Sequence, residues 1–300
     1  MKRVAVVGTI SNASANLRTD LQKLINALKD FEIVQIFLVE SDSTDSTILI
    51  LENLRANIAD FDFVTLGALK EKIPERISRI RYCRNIYVER VRSILNEREL
   101  DLIVVADLDG MNARISAKAL ESCFTRNDWG GSLANQTGGY YDVLALRHPT
   151  WCPQDVLAEL RELKTSINKI PLPFFAFIRR TKRRLEYDRA RNKAIYSKMV
   201  RIKKSDQWIE VNSGFGGLGI YKAGIFARFD YSLLEGDLDF ESEHVAFSRR
   251  IIESGEKIFI NPRMINNHFN TYNLNRFVMI RQAREIYWNS LSRLRKIVNE

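Results

Sequence analysis

DLIVVADLDG, residues 101–110, decides the fold. Its centre, Leu102 to Ala106, is continuously apolar, and it ends on two carboxylates, Asp107 and Asp109. An apolar run of this length followed by turn residues reads as a buried strand. Upstream, Glu75 to Glu99 has the length and spacing of a long helix, and FDFVTLG (61–67) reads as another strand. Before these come a helix in ILILENLRANI, a strand in EIVQIFLVE (32–40) and a helix over 17–31, with Leu17, Leu21, Leu24, Ile25 and Leu28 at helical spacing. VAVVGTI (4–10) is the first strand. Strands separated by helices imply parallel βαβ units with right-handed crossovers. Ligands bind such sheets outside the carboxyl ends of the strands. Both acidic strand ends, VESDSTD and VVADLD, fall on that edge.

Downstream, DVLALR (142–147) is strand-like, and then the pattern loosens. Residues 151–205 read as an insertion, with IPLPFFAFIRRTKRR (170–184) at its centre. WIEVNSGFGGLGIYKAGIF (208–226) reads as strand, glycine-rich turn and strand. A helix is expected near 242–254, a strand in KIFINP and an amphipathic helix from about Leu274. The expected fold is therefore α/β, with a mostly parallel central sheet flanked by helices, a basic insertion and a C-terminal helix. Three pieces follow: 1–150, 151–205 and 206–300.

The 300 residues are 45% hydrophobic and 28% charged, so a large core can be buried by a globular chain. Cys83, Cys123 and Cys152 are odd in number and widely spaced, which suits neither a disulfide framework nor a metal knuckle and points to a reducing compartment. MKRVAVVGTI is too short in its apolar run for a signal segment, and no run of 18 apolar residues occurs. A cytoplasmic location is expected, or a peripheral one on the inner face of the membrane. The net charge of +9 is local. Residues 179–204 hold twelve Lys/Arg against Glu186 and Asp188, a net of +10, so the remainder sums to −1.

Successive odd positions of a strand face one way, so Asp107 and Asp109 point together. Two hard oxygen donors suit Mg2+ or Mn2+, with substrate phosphates completing the coordination. A solvated strand-end turn is the plainer alternative. In ERISRIRYCRNIYVERV the apolar stripe runs through Ile77, Ile80, position 84, Tyr87 and Val91, and position 84 is Arg. An inward guanidinium needs an anion, either a phosphate or the acid pair, unless it reaches solvent along its own stem. Arg81 and Arg76 lie nearby as solvated or assisting charges. NSGFGGLGIYK packs four glycines into 212–219, where a backbone can approach a ligand closely. EGDLDFESEHVAF brings Asp237, Asp239, Glu241, Glu243 and His244 before a helix. One of them can serve as general base, or the group can simply favour the helix dipole. His268 and His148 read, as lone histidines, as hydrogen-bonded structural residues.

Taken together, these motifs resemble the GT-A family of nucleotide-sugar glycosyltransferases. VESDSTDST is similar to the acidic turn after the second strand, RIRYCRN to the basic helix beside the donor, and ADLDG to the DxD motif. VNSGFGGLGIYK is similar to the acceptor wall and SEHVAF to the acidic-plus-His element. Within the family the capsule-associated mannosyltransferase group is the nearest likeness. The resemblance spans about 1–148 and 208–268. It implies that Glu40 touches the base or ribose, with Gly8, Thr9 and Arg81 on the donor side. Arg84 and Asn85 would meet the donor phosphates or sugar. It also implies Asp107 on ribose or sugar hydroxyls and at the metal, Asp109 on the metal, and His268 as a further metal ligand. Glu243 matches the base of inverting members, with His244 and Glu241 beside it, and Gly216 and Gly217 match the acceptor wall. Ser41 departs from the pattern, because many members carry a second acid there, and 151–205 matches nothing in the family.

The function expected is metal-dependent transfer of a sugar from a nucleoside-diphosphate sugar to a glycan or lipid-linked hydroxyl, as in polysaccharide biosynthesis. The stretch 172–204 suits an anionic membrane surface. A nucleic-acid partner is not expected, since the acids would repel phosphates. A sugar-1-phosphate nucleotidyltransferase would want a basic glycine-rich loop after the first strand, and GTISNASAN has no Lys or Arg. A basic nucleic-acid- or membrane-binding protein without catalysis would leave the acids unexplained.

Overall fold

The computed structural model describes residues 1–169, 176–233, 235–237 and 240–268, without the side chains of 167–169, 176–184 and 193. The first half runs β1 (Lys2–Ile10), α1 (Leu17–Ala27), β2 (Phe31–Glu40), α2 (Thr47–Asn57), β3 (Phe61–Thr65), α3 (Leu69–Lys72), α4 (Arg76–Glu97) and β4 (Leu102–Ala106). There follow α5 (Ala117–Glu121), β5 (Gly131–Gln136), α6 (Val156–Lys169) and α7 (Ala176–Tyr196). The last described part holds β6 (Ile209–Glu210), β7 (Leu218–Lys222), α8 (Ala223–Arg228), α9 (Glu243–Glu253) and β8 (Ile258–Asn267).

All eight strands form one sheet in the order β3-β2-β1-β4-β7-β5-β8-β6. β1 pairs in parallel with β2 and β4, and β2 with β3, while β7 runs antiparallel to both β4 and β5. β5 and β8 are parallel, with a register break between Leu133 and Gln136. The pieces 1–150 and 206–300 thus share one sheet, since β7 lies between β4 and β5.

Side-chain alternation divides the core into two layers. Val4, Val6, Leu102 and Val104 face α1 and α2, where Leu17, Leu21, Leu24 and Leu51 cover them. Ala5, Val7, Ile103 and Val105 face α4, α8 and α9 through Val88, Val91, Phe226 and Phe247. Helices on both faces explain why the central strands are apolar throughout. This is the α/β architecture that the sequence predicts, a mostly parallel central sheet flanked by helices. Gly8 is needed where β1 meets β4, because a side-chain carbon there would overlap the Ala106 carbonyl oxygen.

Several expectations are corrected. DVLALR forms a turn with an isolated bridge from Arg147 to Ser213, and no strand. The strand on that side is β5, GSLANQ, whose six residues are all buried. Its Ser132, Asn135 and Gln136 hide it from an apolar-pattern reading, because their polar groups are satisfied inside the fold. AGIF is helical, opening α8, and not strand. Within 151–205 the described residues form α6 and α7, which pack on each other. The helix expected from about Leu274, residues 170–175 and Asp239 lie outside the described residues.

Candidate active site

The sheet delivers the acid turn to its carboxyl edge and the chain then clamps it. Asp107 N–H donates to the Gly217 carbonyl at 3.0 Å, and Asp20 Oδ2, on α1, accepts from Gly110 N–H at 2.8 Å. Asn16 Nδ2 donates to the Asp109 carbonyl and Asn267 Nδ2 to that of Gly110. The turn carrying both acids is therefore rigid before any ligand arrives.

Arg84 occupies the inward face of α4 and is 3% exposed. Its Nε donates to Glu243 Oε1 at 2.8 Å, its Nη1 to the Tyr87 hydroxyl at 3.0 Å, and its Nη2 stands 3.7 Å from Asp107 Oδ1. The rings of Phe215 and Tyr231 flank the guanidinium, with centroids at 5.2 and 5.5 Å. A charge buried this deeply is tolerable only with such partners. Burial works against the charged guanidinium, yet Tyr87, Glu243, Tyr231 and Asp107 hold it charged well above its usual range.

The carboxylates around it differ. Burial acts to raise Glu243, but the Arg84 guanidinium outweighs it, so Glu243 stays ionised below the usual range. Asp107 is pushed up to about 8, by burial first and by Asp109, Asp142 and Glu243 against the pull of Arg84. Burial also raises Asp142, whose Oδ2 accepts from Gly216 N–H at 3.0 Å. Asp109 is at the exposed rim of the turn, and the protein crowded round its carboxyl raises it as well. His244 stacks on Phe215 at 4.1 Å and lies 3.5 Å from Glu243. Burial and then Arg84 press its ring down to about 3, so it is neutral.

The other expected residues are distributed as follows. Glu40 is fully buried, with Ser43 N–H on Oε1 at 2.9 Å and the Thr65 hydroxyl on Oε2. Gly8 and Thr9 lie at the end of β1, Thr9 half-buried. Arg81 is buried on α4. Asn85 braces the 231–232 segment, accepting from Tyr231 N–H at 2.8 Å and donating to the Ser232 hydroxyl at 3.0 Å. Gly216 and Gly217, at φ of 74° and 79°, lie against the acid turn. Glu241 is not brought to Arg84: it pairs with Arg147 and Arg249, each at 3.5 Å. His268 is exposed, with Nδ1 2.7 Å from the Thr137 hydroxyl, and the preceding Asn267 touches the acid turn. His148 accepts from Thr150 and Trp151 N–H groups as a local brace.

Four members of this constellation escaped the sequence reading: Asp142, Phe215, Tyr231 and Asp20. Asp20 had a usable signal, since like Arg84 it is a charge on the inward stripe of a helix. Among the described residues no three His, Cys, Asp or Glu side chains converge on a metal position. Asp107 and Asp109, both held above the usual carboxylate range, nonetheless suit a hard divalent ion that displaces their protons and takes its remaining ligands from substrate oxygens and water.

No protein-family model and no curated protein matches the chain. Solved structures do resemble its fold. TarS 1-349 of S. aureus has 13% identity and a TM-score of 0.45 over 87% of this chain and 58% of its own. The mannosyltransferase PcManGT of Pyrobaculum calidifontis, solved with GDP-Man and Mn2+, has 11% identity and a TM-score of 0.44 over 89% and 56%. The chain therefore spans little more than half the length of these two. A 4-diphosphocytidyl-2C-methyl-D-erythritol synthase from Anaerococcus prevotii has 9% identity and a TM-score of 0.41 over 93% and 96%. These likenesses are of fold alone.

Proposed function

We propose that the protein is a metal-dependent glycosyltransferase that moves a sugar from a nucleoside-diphosphate sugar to a hydroxyl of a glycan or lipid-linked acceptor. One observation carries the reading: a buried Arg84 linking Glu243 to Asp107 beside the glycine pair, at the carboxyl edge of a mostly parallel sheet. Asp107 and Asp109 would hold Mn2+ or Mg2+, which would supply charge neutralisation for a departing diphosphate, and His268, which does not converge with them on one position, is the further ligand that the resemblance implies. Arg84 keeps Asp107 and Glu243 in fixed relation and adds its own positive field where that charge develops. Gly216 and Gly217 match the acceptor wall, and their lack of side chains lets that wall pack closely on the Ala134 carbonyl, Met111 and Tyr141 beside the acid turn. In an inverting reaction Glu243 takes the acceptor proton as that oxygen attacks the anomeric carbon. In a retaining one it orients the acceptor. His244, being neutral, adds no competing charge.

The nucleotidyltransferase alternative is less well supported. In the loop after β1, the N–H groups of Asn12, Ala13 and Ser14 are spent on Ser43, Thr47 and Asp45, so they are not offered to a triphosphate.

The deciding experiment is calorimetric titration with UDP, GDP and other nucleoside diphosphates, with Mn2+ and again with EDTA. Tight binding of one nucleotide that EDTA abolishes is expected; absence of binding by all of them overturns the reading. Among the described residues no helix is long and apolar enough to cross a membrane. The positive segment 172–204 is the part suited to an anionic lipid surface, on the inner face of a membrane, at about 1 kcal/mol per basic residue near the lipid. Deletion of 179–204 should then abolish co-sedimentation with anionic liposomes.

A further inference from the structure

Three buried carboxamides connect the acid turn to the glycine pair. Gln136 ends β5, Asn266 lies near the end of β8, Asn112 follows the acid turn, and each has no solvent exposure. Gln136 Nε2 donates to Asn266 Oδ1 at 2.8 Å and to the Gly216 carbonyl at 2.9 Å. Asn266 Nδ2 donates to Asn112 Oδ1 at 3.2 Å and to the same Gly216 carbonyl at 2.9 Å. Asn112 Nδ2 donates to the Asp107 carbonyl and, at 3.0 Å, to that of Gly217. Every side-chain amide N–H of the three thus has an acceptor: three donations run from Gln136 through Asn266 and Asn112 to Asp107, and three go to the Gly216 and Gly217 carbonyls.

Burying three carboxamides is costly unless each is satisfied, and a fully satisfied polar chain is rigid and cooperative. The residues come from segments up to 154 positions apart in sequence, yet they meet on the backbone of one candidate donor residue and two candidate acceptor residues. The chain therefore acts as a spacer between the two sides of the site. We propose that Gln136, Asn266 and Asn112 are positioning residues. They reinforce the direct Asp107 N–H to Gly217 carbonyl bond and extend it to Gly216, and so hold the spacing from Asp107 to Gly216–Gly217 on which the approach of the acceptor hydroxyl to the donor sugar depends. The kinetic consequence rests on the glycosyltransferase reading; the mechanical coupling does not.

Asn266→Asp tests this without changing shape. It replaces two donated hydrogen bonds by a carboxylate oxygen facing Asn112 Oδ1 and the Gly216 carbonyl. Hydrogen exchange should rise roughly tenfold or more in 106–112 and 214–218 together, with β2 unchanged. With donor and acceptor supplied, the ratio of sugar transfer to donor hydrolysis should fall on the order of tenfold, while nucleotide affinity stays within about threefold. That ratio does not depend on how much enzyme is folded, so a merely structural role would leave it alone. Unchanged exchange overturns the coupling, and loosened segments with an unchanged ratio overturn the positioning role. If Asn266→Asp does not fold, Gln136→Leu, at the end remote from the acids, carries the same two measurements. A wild-type protein that turns over no nucleotide sugar defeats the glycosyltransferase reading and the kinetic role, and exchange still decides the coupling.

Discussion

At the end of β2, Glu40 gives one carboxylate oxygen to Ser43 N–H and the other to the Thr65 hydroxyl, wholly shielded from solvent. At the end of β4, two strands across the same edge, Asp107 has one ion-pair partner, Arg84 at 3.7 Å, and Asp109 rests on backbone N–H groups at the rim. Both turns are acidic and both are legible as strand ends. One carboxylate is consumed by the fold, bracing the loop that leads into α2. The other two lack such a pair of hydrogen bonds and are held above the usual carboxylate range, so a cation arriving there can displace their protons and take up their charge. An acid at the functional edge is therefore informative only once its hydrogen-bond partners are known.

The contrast can be broken at either end. The largest effect is expected for Asp109→Ala. Transfer should fall by about a thousandfold or more, roughly 4 kcal/mol in the barrier, while thermal unfolding is nearly unchanged. Near-normal turnover would remove Asp109 from the site. Arg84→Met should cost about 3 kcal/mol in denaturant unfolding, because Glu243 is left buried without its countercharge. Adding Glu243→Gln to that variant should recover much of the loss, and strict additivity of the two changes would show that the pair is not coupled.

His244 gives a smaller effect that depends on pH. It is packed by Phe215 and Tyr231 and faces Arg84 and Glu243. Its folded pKa, about 3, lies below the unfolded value of 6.5, so between these the unfolded chain binds the extra proton. Stability from this residue is present above pH 6.5 and is lost as pH falls, by about 1.4 kcal/mol per unit or roughly 2 kcal/mol at pH 5. His244→Phe should flatten that part of the stability profile, and an unaltered profile would mean that the ring is not held neutral. Smallest is Glu40→Gln, which should cost about 1 kcal/mol of stability through a mismatched hydrogen bond. Loss of nucleotide binding at unchanged stability would show instead that Glu40 belongs with Asp107 as a ligand-binding acid.

The parallel half was readable because its signals are local. Short continuous apolar runs mark the strands and a period near four marks the helices from β1 through β4, and the crossover rule turns their order into a sheet. The inward position of Arg84 was readable for the same reason, as a charge on an apolar stripe. β5 was not, since GSLANQ is a buried strand made partly of polar residues whose partners lie in other segments, at Cys123, Ile202 and Gly216. Asp142 was passed over because DVLALR imitates a strand, whereas in the fold it is a turn that carries a carboxylate to Gly216.

By itself the sequence determined the βαβ order, the edge on which the acids gather, the inward arginine and the confinement of excess positive charge to one segment. These depend on spacing along the chain, which secondary structure converts directly into direction. Only the tertiary structure decided that β7 separates β4 from β5, and that Arg84 takes Glu243, 159 residues away, as its partner. It also decided that Glu40 is sealed while Asp107 is not, and that three distant carboxamides share one hydrogen-bond chain. Those outcomes are choices among many chemically equivalent partners, and packing makes the choice through distances that no local period encodes.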